Sequence, residues 1–404
     1  MIPKTTSDSS EVLADDQWLT SADAEPWLAR AEESREDIVK LTQALRSELS
    51  AARTHRVLEL VELRRRAKSK FAKAARMFFT RVGLEQATDE IVAAYKAARF
   101  PAKRPVADLC CGMGGDCLAL AGRGPTVGVD RDPALAHLVR ANLAVSGYEQ
   151  STICVADVEQ FSLAEFAAWH IDPDRRPQGK RTTRVELHEP GPDAIERLLK
   201  DCPHAAVKLA PAAELPPDWA QAAEAEWISR DGECKQLVAW FGDVAKLPGQ
   251  RAATVLSSRN HSPRTVVGAA HHDYASAQAV GRYIYEVDAA VLAAKLTGVL
   301  AAEHALAAID PHGGYLTGDR RIEDGALAVF EVLETLPFDR KRLKGALHAQ
   351  RIGRLEIKKR ALFDDPEKLR RDLALSGDEQ ATLILTRIQD RATAIIAKRC
   401  DETE

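Results

Sequence analysis

The segment at residues 106–116 reads VADLCCGMGGD, and it decides the fold. Its first five residues form the short apolar run of a buried strand, and three glycines follow: Gly112, Gly114 and Gly115. Glycine lets the backbone adopt positive φ and approach a ligand closely. The next residues, 116–121, have the pattern of a helix. The segment therefore predicts a strand, a ligand-binding loop and a helix in succession.

Acidic residues accompany this loop, one inside a predicted strand and two at or just after strand ends. Asp108 lies inside the first strand, and Asp130 ends the next predicted strand, 126–130. A carboxylate about 20 residues after the first glycine, at that position, can accept hydrogen bonds from ribose hydroxyls. Asp157 follows a third short strand in the same way.

A dinucleotide site is the main competing interpretation of the loop. That site needs a third glycine where this chain has Cys117, and it places pyrophosphate at the helix N-terminus, where Asp116 would repel it. Acids in the first strand and at the helix start instead favour a ligand with cationic groups and no phosphate.

Strands and helices alternate from residue 105 to 257, which predicts an α/β fold with a doubly wound, mostly parallel sheet. We expect three domains: a helical N-terminal region at 1–99, the α/β domain at 100–270, and a small α+β domain at 281–404. Residues 258–280 are expected to form a linker. Within this scheme, 235–241 and 288–309 are predicted to be helices.

Composition and cysteine spacing exclude several classes of protein. The 404 residues are 45% hydrophobic and 29% charged, as in a globular protein, with no apolar run of membrane-spanning length. The first 16 residues show no secretory signal. Seven cysteines without C-x-x-C spacing argue against disulfides and structural zinc, so we expect a cytoplasmic protein. The pair at 271–272 lacks a clear third ligand, and no metal is predicted.

Charge is unevenly distributed along the chain. Residues 53–81 and 340–371 each carry a net charge of +8, although the whole chain carries −4. Two basic segments suggest a surface that faces a polyanion, while solvated helix faces are the alternative.

The end of the fourth predicted strand, 168–172, carries Asp172-Pro173-Asp174-Arg175-Arg176. Asp172 and Pro173 are candidates for the reacting end of the site. Arg175 and Arg176 could hold phosphate or stack on a base. The alternative is a capped turn in which these arginines pair with nearby acids.

Together these elements resemble class I S-adenosylmethionine-dependent methyltransferases, with 106–116, 127–130 and 156–157 matching their first three motifs. The resemblance implies that the glycine loop, including Asp108 and Asp116, cradles the methionine part of the donor. It also implies that Asp130 holds the ribose and that Asp157 accepts from the adenine amine. Base-amine methyltransferases usually have a second proline and an aromatic residue where this chain has Asp174 and Arg175, which puts a base amine in doubt.

Motifs in the C-terminal region, including 314–319, 354–360 and 383–387, resemble a bacterial group of these enzymes that carries a C-terminal THUMP-like domain. THUMP domains occur in RNA-modifying enzymes, so this resemblance implies an RNA substrate, tRNA or rRNA. Within the basic segment at 340–371, we expect Lys358, Lys359 and Arg360 to contact it. The alternative role for these three cations is to protect an exposed strand edge from aggregation. The alternative functions are a binding protein without catalysis and a methyltransferase that acts on proteins or small molecules.

Overall fold

The computed structural model describes residues 6–176, 180, 182–259, 262–310, 314–359 and 365–400. Its contacts group the chain into two compact units. The first contains Met1–Ala223 and Val238–Pro248, and the second contains Glu224–Leu237 and Gly249–Glu404. The domain boundaries at 99, 270 and 281 remain predictions.

Helices dominate the first part of the first unit, as predicted. The helices of this unit are α1 (Thr6–Leu19), α2 (Glu25–Glu33), α3 (Ile38–Arg46), α4 (Ala51–Ala67), α5 (Arg81–Gln86), α6 (Glu90–Ala97), α7 (Gly115–Ala121), α8 (Pro133–Ser146), α9 (Pro192–Asp201) and α10 (Pro217–Ala222). Side-chain caps start several of them: Ser50 accepts from the N–H of Arg53, and Asp89 from those of Ile91 and Val92.

Five parallel strands form the sheet of this unit. They are β1 (Val106–Leu109), β2 (Thr126–Asp130), β3 (Thr152–Val155), β4 (Ala168–Ile171) and β5 (Ala205–Leu209), in the order β3-β2-β1-β4-β5. The winding direction reverses between β1 and β4. Such a reversal opens a crevice at the carboxyl ends of the strands, where doubly wound sheets bind ligands. The predicted Rossmann-like α/β fold is confirmed.

The N-terminal helices share a core with this sheet domain. Buried residues of α2 to α5 pack with Met113 of the glycine loop and Leu138 of α8. Asn142 adds a reciprocal pair of hydrogen bonds: its amide oxygen accepts from the N–H of Phe78 at 2.8 Å, and its amide nitrogen donates to the carbonyl of Phe78 at 3.0 Å. The helical region is therefore part of the structural support of the glycine loop.

The second unit contains two groups of strands. In the first group, β6 (Glu224–Arg230) pairs in parallel with β8 (Arg251–Leu256), which pairs antiparallel with β9 (Arg264–Gly268). The intervening strand β7 (Glu233–Phe241) begins in this unit and ends in the first.

A seven-stranded sheet forms the rest of the second unit. Its strands are β10 (Tyr283–Val287), β11 (Ala307–Ala308), β12 (Tyr315–Gly318), β13 (Leu327–Pro337), β14 (Ile352–Lys359), β15 (Glu379–Ile388) and β16 (Arg391–Arg399), ordered β11-β12-β10-β13-β16-β15-β14. Its helices are α11 (Ala289–Ala293), α12 (Thr297–His304), α13 (Arg340–Ala349) and α14 (Pro366–Leu373). The edge strand β14 is parallel to β15, and α14 forms the crossover that a parallel pair requires.

Three local predictions were wrong. Residues 235–241 belong to strand β7, because a short apolar run buried on both faces fits a strand as well as a helix. The expected helix at 288–309 is interrupted after α11, where Lys295 adopts φ 59°, and it ends where Ala305 adopts φ 54°. The expected linker at 258–280 contains β9. Among the described residues, no helix combines the length and apolar character needed to cross a membrane.

Candidate functional site

The carboxyl ends of β1, β4 and β5 bring together a set of buried polar side chains. Asp108 and His170 are register partners, and His170 Nδ1 lies 2.7 Å from Asp108 Oδ1. The register of β4 and β5 places Asp172 beside Lys208, where Lys208 Nζ donates to Asp172 Oδ2 at 2.6 Å. Strand register thus determines both contacts.

Lys96 of α6 joins this group from the N-terminal region. Its ammonium lies 2.7 Å from Asp116 Oδ1 and 3.1 Å from His170 Nε2. Because an ammonium can only donate, we assign the acceptor role to His170 Nε2 and the proton to Nδ1, which donates to Asp108. Lys96, Asp108 and His170 are each about 1% exposed, and Asp116 is 8% exposed, so this group is buried.

Thr88 completes the connection. Its hydroxyl lies 2.7 Å from Asp116 Oδ2 and 3.0 Å from Lys208 Nζ. One continuous network therefore joins Asp108, His170, Lys96, Asp116, Thr88, Lys208 and Asp172.

Burial and neighbouring charge shift the titration of this network. Burial lowers the pKa of Lys96, although Asp116 opposes the shift. Burial alone would raise the pKa of Asp116, but the cations around it, Lys96 first among them, hold that pKa well below its usual range. The lowered pKa of Asp116 favours its carboxylate form, whereas the lowered pKa of Lys96 disfavours its ammonium form. Because Asp116 faces two lysines, we treat the pair as ionised.

The acid on β1 behaves differently. Burial raises the pKa of Asp108, although the hydrogen bond from His170 opposes the shift. Asp108 Oδ2 is buried and has no hydrogen-bond partner among the residues that the structure describes. A cationic or N–H donor group from a ligand would satisfy this oxygen.

The glycine loop combines open space with close packing. Gly112 adopts φ 52°, its N–H donates to Asp130 Oδ2 at 2.9 Å, and an added Cβ would meet no atom within 4 Å. Gly115 has the opposite environment, because an added Cβ would lie 2.5 Å from the carbonyl oxygen of Thr88. The loop is therefore open towards a ligand at Gly112 and packed against protein at Gly115.

Asp130 ends β2 beside this loop. Its second oxygen accepts from the N–H of Asp132 at 3.0 Å. Burial raises the pKa of Asp130, and the two backbone N–H groups oppose the shift. Each carboxylate oxygen retains acceptor capacity for ribose hydroxyls. Asp157 accepts from the N–H of Glu159 at 3.0 Å and caps a short turn. Val155, two residues before Asp157, is 48% exposed, so the surface near this turn is open and apolar.

The segment after β4 forms a turn. The side chain of Asp172 is 27% exposed, and Pro173 is buried. Asp174 accepts from the N–H of Arg176 at 2.9 Å and forms an isolated bridge with Glu189. Arg175 and Arg176 are half-buried.

His188 lies near this turn and was not singled out from the sequence. Burial lowers the pKa of this imidazole, and the charge of Arg175 lowers it further, while Asp172 acts in the opposite direction. A neutral ring therefore adjoins the candidate reacting end.

The predicted contacts on the edge strand have different environments. Lys358 is engaged with two carboxylates, those of Glu286 at 2.8 Å and Glu356 at 3.3 Å. Lys359 is exposed, and Arg360 lies outside the described residues.

Part of the first basic segment also serves the fold. Arg64 pairs with Glu32 at 2.7 Å and donates to the carbonyl of Met77. Lys70 donates to the carbonyls of Leu84 and Ala87 and so stabilises the end of α5.

The thiols around the glycine loop show no sign of activation. Burial raises the pKa of Cys110, Cys111 and Cys117, as expected for apolar packing. Among the residues that the structure describes, Glu303, His304 and Asp324 have metal-ligand spacing, and Arg264 pairs with both carboxylates.

The sequence analysis assigned no role to four residues of the network: Thr88, Lys96, His170 and Lys208. A usable signal exists for the two lysines, because each interrupts an apolar run, 91–97 or 205–209, in which a solvated charge is unexpected. Their partners come from distant parts of the chain, which the local pattern does not reveal.

The first prediction concerns the pair of Lys96 and Asp116. Lys96→Met preserves side-chain length but leaves a buried carboxylate without its ammonium, so it should lower the free energy of unfolding by about 3–5 kcal/mol at pH 7. Because the folded-state pKa of Asp116 lies below its unfolded value of about 3.9, its stabilisation is present above that value. It is lost as pH falls through the folded pKa, so the deficit should shrink below about pH 4.

Urea unfolding followed by circular dichroism measures both effects. Lys200→Met, an exposed lysine on α9, is the matched control and should change stability by less than about 0.5 kcal/mol. Equal stabilities for the two variants at pH 7 would contradict the assignment of a buried ion pair.

Comparisons with known proteins show which proteins this chain resembles. A family model described as THUMP domain-like matches residues 327–399. Two uncharacterised S-adenosylmethionine-dependent methyltransferases of Mycobacterium tuberculosis, from strains CDC 1551 / Oshkosh and ATCC 25618 / H37Rv, are each 33% identical over 341 residues. The match covers 82% of this chain and 92% of theirs.

A crystal structure of a candidate methyltransferase from Porphyromonas gingivalis W83 has a TM-score of 0.74, with 20% identity over 97% of this chain and 99% of that one. At this identity the likeness shows a shared fold. The residues present also fit the donor, since Asp108 offers an unpaired buried acceptor, Asp130 retains acceptor capacity, and Gly112 borders open space. The identity to the mycobacterial enzymes over most of both chains shows the family: this chain belongs to the S-adenosylmethionine-dependent methyltransferases, as a class I member with a C-terminal THUMP-like domain.

Proposed function

We propose that this enzyme transfers a methyl group from S-adenosylmethionine to RNA, either tRNA or rRNA. The observation that carries the proposal is the THUMP-like segment at 327–399, because THUMP domains occur in RNA-modifying enzymes. Exposed cations on α13 and β14 of the same unit, among them Lys341, Arg342 and Lys359, support it. An RNA acceptor and seven free thiols also fit the expected cytoplasmic location.

The donor site in this proposal uses the acids at the strand ends. Asp108 would accept from the donor's ammonium, Asp130 from the ribose hydroxyls, and Asp157 from the adenine amine. The backbone of Gly112, Gly114 and Gly115 would cradle the methionine part. Asp116 would act through the network, since both of its oxygens already have protein partners.

Asp172 and Pro173 form the reacting end in this proposal. The donor supplies an electrophilic methyl group on a sulfonium, which the acceptor attacks in line. The chain contributes position and exclusion of water. Lys208 binds one oxygen of Asp172 and fixes the carboxylate, while the other is available to orient or deprotonate the nucleophile. Pro173 has a fixed φ and restricts the backbone of Asp172, the residue before it.

The RNA contacts in this proposal all follow the catalytic residues in sequence, two of them shortly after Pro173 and the others on and after β14. Arg175 and Arg176 would hold phosphate or a base next to the target, and Lys359 and Arg360 would contact the backbone farther away. Lys358 already holds two carboxylates, so its contribution would be smaller.

The second prediction concerns the donor. Asp130→Ala removes an acceptor for the ribose hydroxyls and should weaken binding of S-adenosylmethionine by about 1.5–3 kcal/mol. Because burial raises the pKa of Asp130, affinity of the wild type should also fall on acidification, as the protonated acid stops accepting. Isothermal titration calorimetry at several pH values measures both effects, with the exposed Glu149→Ala as control. Wild-type affinity in the Asp130→Ala protein would exclude this residue from the donor site.

The third prediction tests the substrate and Asp172 together. With labelled donor, the enzyme should methylate total RNA from a strain that lacks the gene more than RNA from the parent strain. Asp172→Asn should lower turnover by about 100-fold or more and leave donor affinity nearly unchanged. Asp174→Asn makes the same chemical change two residues away and should have little effect, because asparagine can still cap the turn.

Other outcomes of this experiment identify the alternatives. Label that enters protein or small molecules but never RNA would favour a different acceptor class. Donor binding without any transfer would favour a binding protein that lacks catalysis. If Asp172→Asn lowers only the melting temperature, the carboxylate has a structural role.

The fourth prediction concerns salt dependence. Replacing Lys341, Arg342 and Lys359 with Gln should flatten the dependence of tRNA affinity on salt by about one to two phosphate contacts, or 0.7–0.9 log units per log unit of salt for each. Specificity among RNAs should change less, because phosphate contacts do not read bases. Lys40→Gln with Arg46→Gln, two exposed cations of α3, controls for net charge. Equal slopes for all three proteins would show that the basic segment does not contact RNA.

A further inference from the structure

Thr88 lies outside the strands that carry the methyltransferase motifs, in the short loop between α5 and α6. The residue is 8% exposed. It nevertheless contacts a charged group at each side of the active-site crevice: Asp116 at the start of the helix after the glycine loop, and Lys208 near the end of β5.

The chemistry of these two neighbours fixes the direction of both hydrogen bonds. A carboxylate only accepts and an ammonium only donates, so the single proton of the Thr88 hydroxyl goes to Asp116 and a lone pair receives Lys208. A side chain without a hydroxyl at position 88 would leave one buried carboxylate and one buried ammonium each short of a partner.

The backbone of Thr88 is held as firmly as its side chain. Gly115 packs directly against its carbonyl oxygen, Lys70 donates to the carbonyl of Ala87 at 3.0 Å, and Asp89 caps α6. The hydroxyl therefore has one position relative to the glycine loop.

Lys208 transmits this position to the reacting end. Its ammonium donates both to Thr88 Oγ1 and to Asp172 Oδ2, so the two acceptors limit where the lysine head can lie. Losing the Thr88 contact frees Lys208 to rotate, and Asp172 then loses a fixed partner. A misplacement of about 1 Å at a reacting group can lower a rate about 100-fold.

We propose that Thr88 is a positioning residue of the methyl transfer, which acts through Lys208 to set the orientation of the Asp172 carboxylate. This inference rests on the proposed role of Asp172. It assigns to the N-terminal helical region a direct part in turnover, in addition to its part in the fold.

Three variants separate positioning from folding. Thr88→Val keeps the shape and removes the hydroxyl, whereas Thr88→Ser keeps the hydroxyl and removes a methyl group. Thr54→Val is the matched control, because Thr54 is buried in α4 and its hydroxyl has no partner among the described residues. For each protein we would measure kcat, KM for donor and acceptor, and donor affinity, using whichever acceptor class the wild type labels.

Thr88→Val should lower kcat about 10- to 100-fold with donor affinity changed less than about threefold, and Thr88→Ser should restore kcat to within about threefold of wild type. Thr54→Val should leave kcat unchanged. Wild-type kcat in Thr88→Val, or an equal loss in Thr88→Val and Thr88→Ser, would overturn the proposal. So would a parallel loss of donor affinity and kcat.

A second measurement covers a Thr88→Val protein that does not fold. Lys208→Met should then lower kcat of the folded enzyme with little change in donor affinity. Thr88→Ala also removes the hydroxyl and should lower kcat alone, but combined with Lys208→Met it should be no slower than Lys208→Met alone. If the two substitutions lower kcat independently, so that the combined variant is slower than either single variant, the proposal is overturned. Label in protein rather than RNA, with Thr88→Val still impaired, would refute the RNA proposal and leave this one standing.

Discussion

Lys96 is the residue on which the geometry of the site depends. Its buried ammonium pairs with Asp116 at the start of α7 and donates to the imidazole of His170. His170 in turn bonds Asp108 of β1. Without that cation, Asp116 and Asp108 would lie close together in a site with little water, where like charges repel strongly. The ammonium allows two acids to flank one donor loop, and it comes from a helix that precedes the sheet.

The contacts of Lys96 are a second connection between the N-terminal helices and the sheet domain, besides their shared core. A lysine held by two side chains in a buried site needs a rigid backbone, and α6 is fixed by the Asp89 cap and by packing against α7. The basic segment at 53–81 also has a structural use, as the pairing of Arg64 with Glu32 shows. Charge segregation along a sequence therefore marks contacts within the fold as well as surfaces for polyanions.

The sequence predicted the parts of the site that a local pattern encodes. Gly112 and Asp130 could be placed because a strand, a glycine loop and a strand-end acid follow one another at a regular spacing, and the structure joins them by a hydrogen bond. Thr88 and Lys208 could not be placed, because their contact joins residues 120 positions apart. The error at 235–241 has a similar origin: burial on both faces removes the alternation that identifies a strand.

In the proposed donor site, the charges of the network would suit a cationic donor. Three carboxylates, Asp108, Asp116 and Asp172, face two ammoniums, Lys96 and Lys208, which leaves one negative charge. S-adenosylmethionine carries an ammonium, a sulfonium and a carboxylate, so its single net positive charge balances the net negative charge of the network. Burial raises the pKa of Asp108, and its second oxygen has no partner among the described residues, so a cationic ligand group beside β1 would stabilise its carboxylate form. Loss of the sulfonium during transfer removes this complementarity, so the same charges that favour donor binding also favour product release.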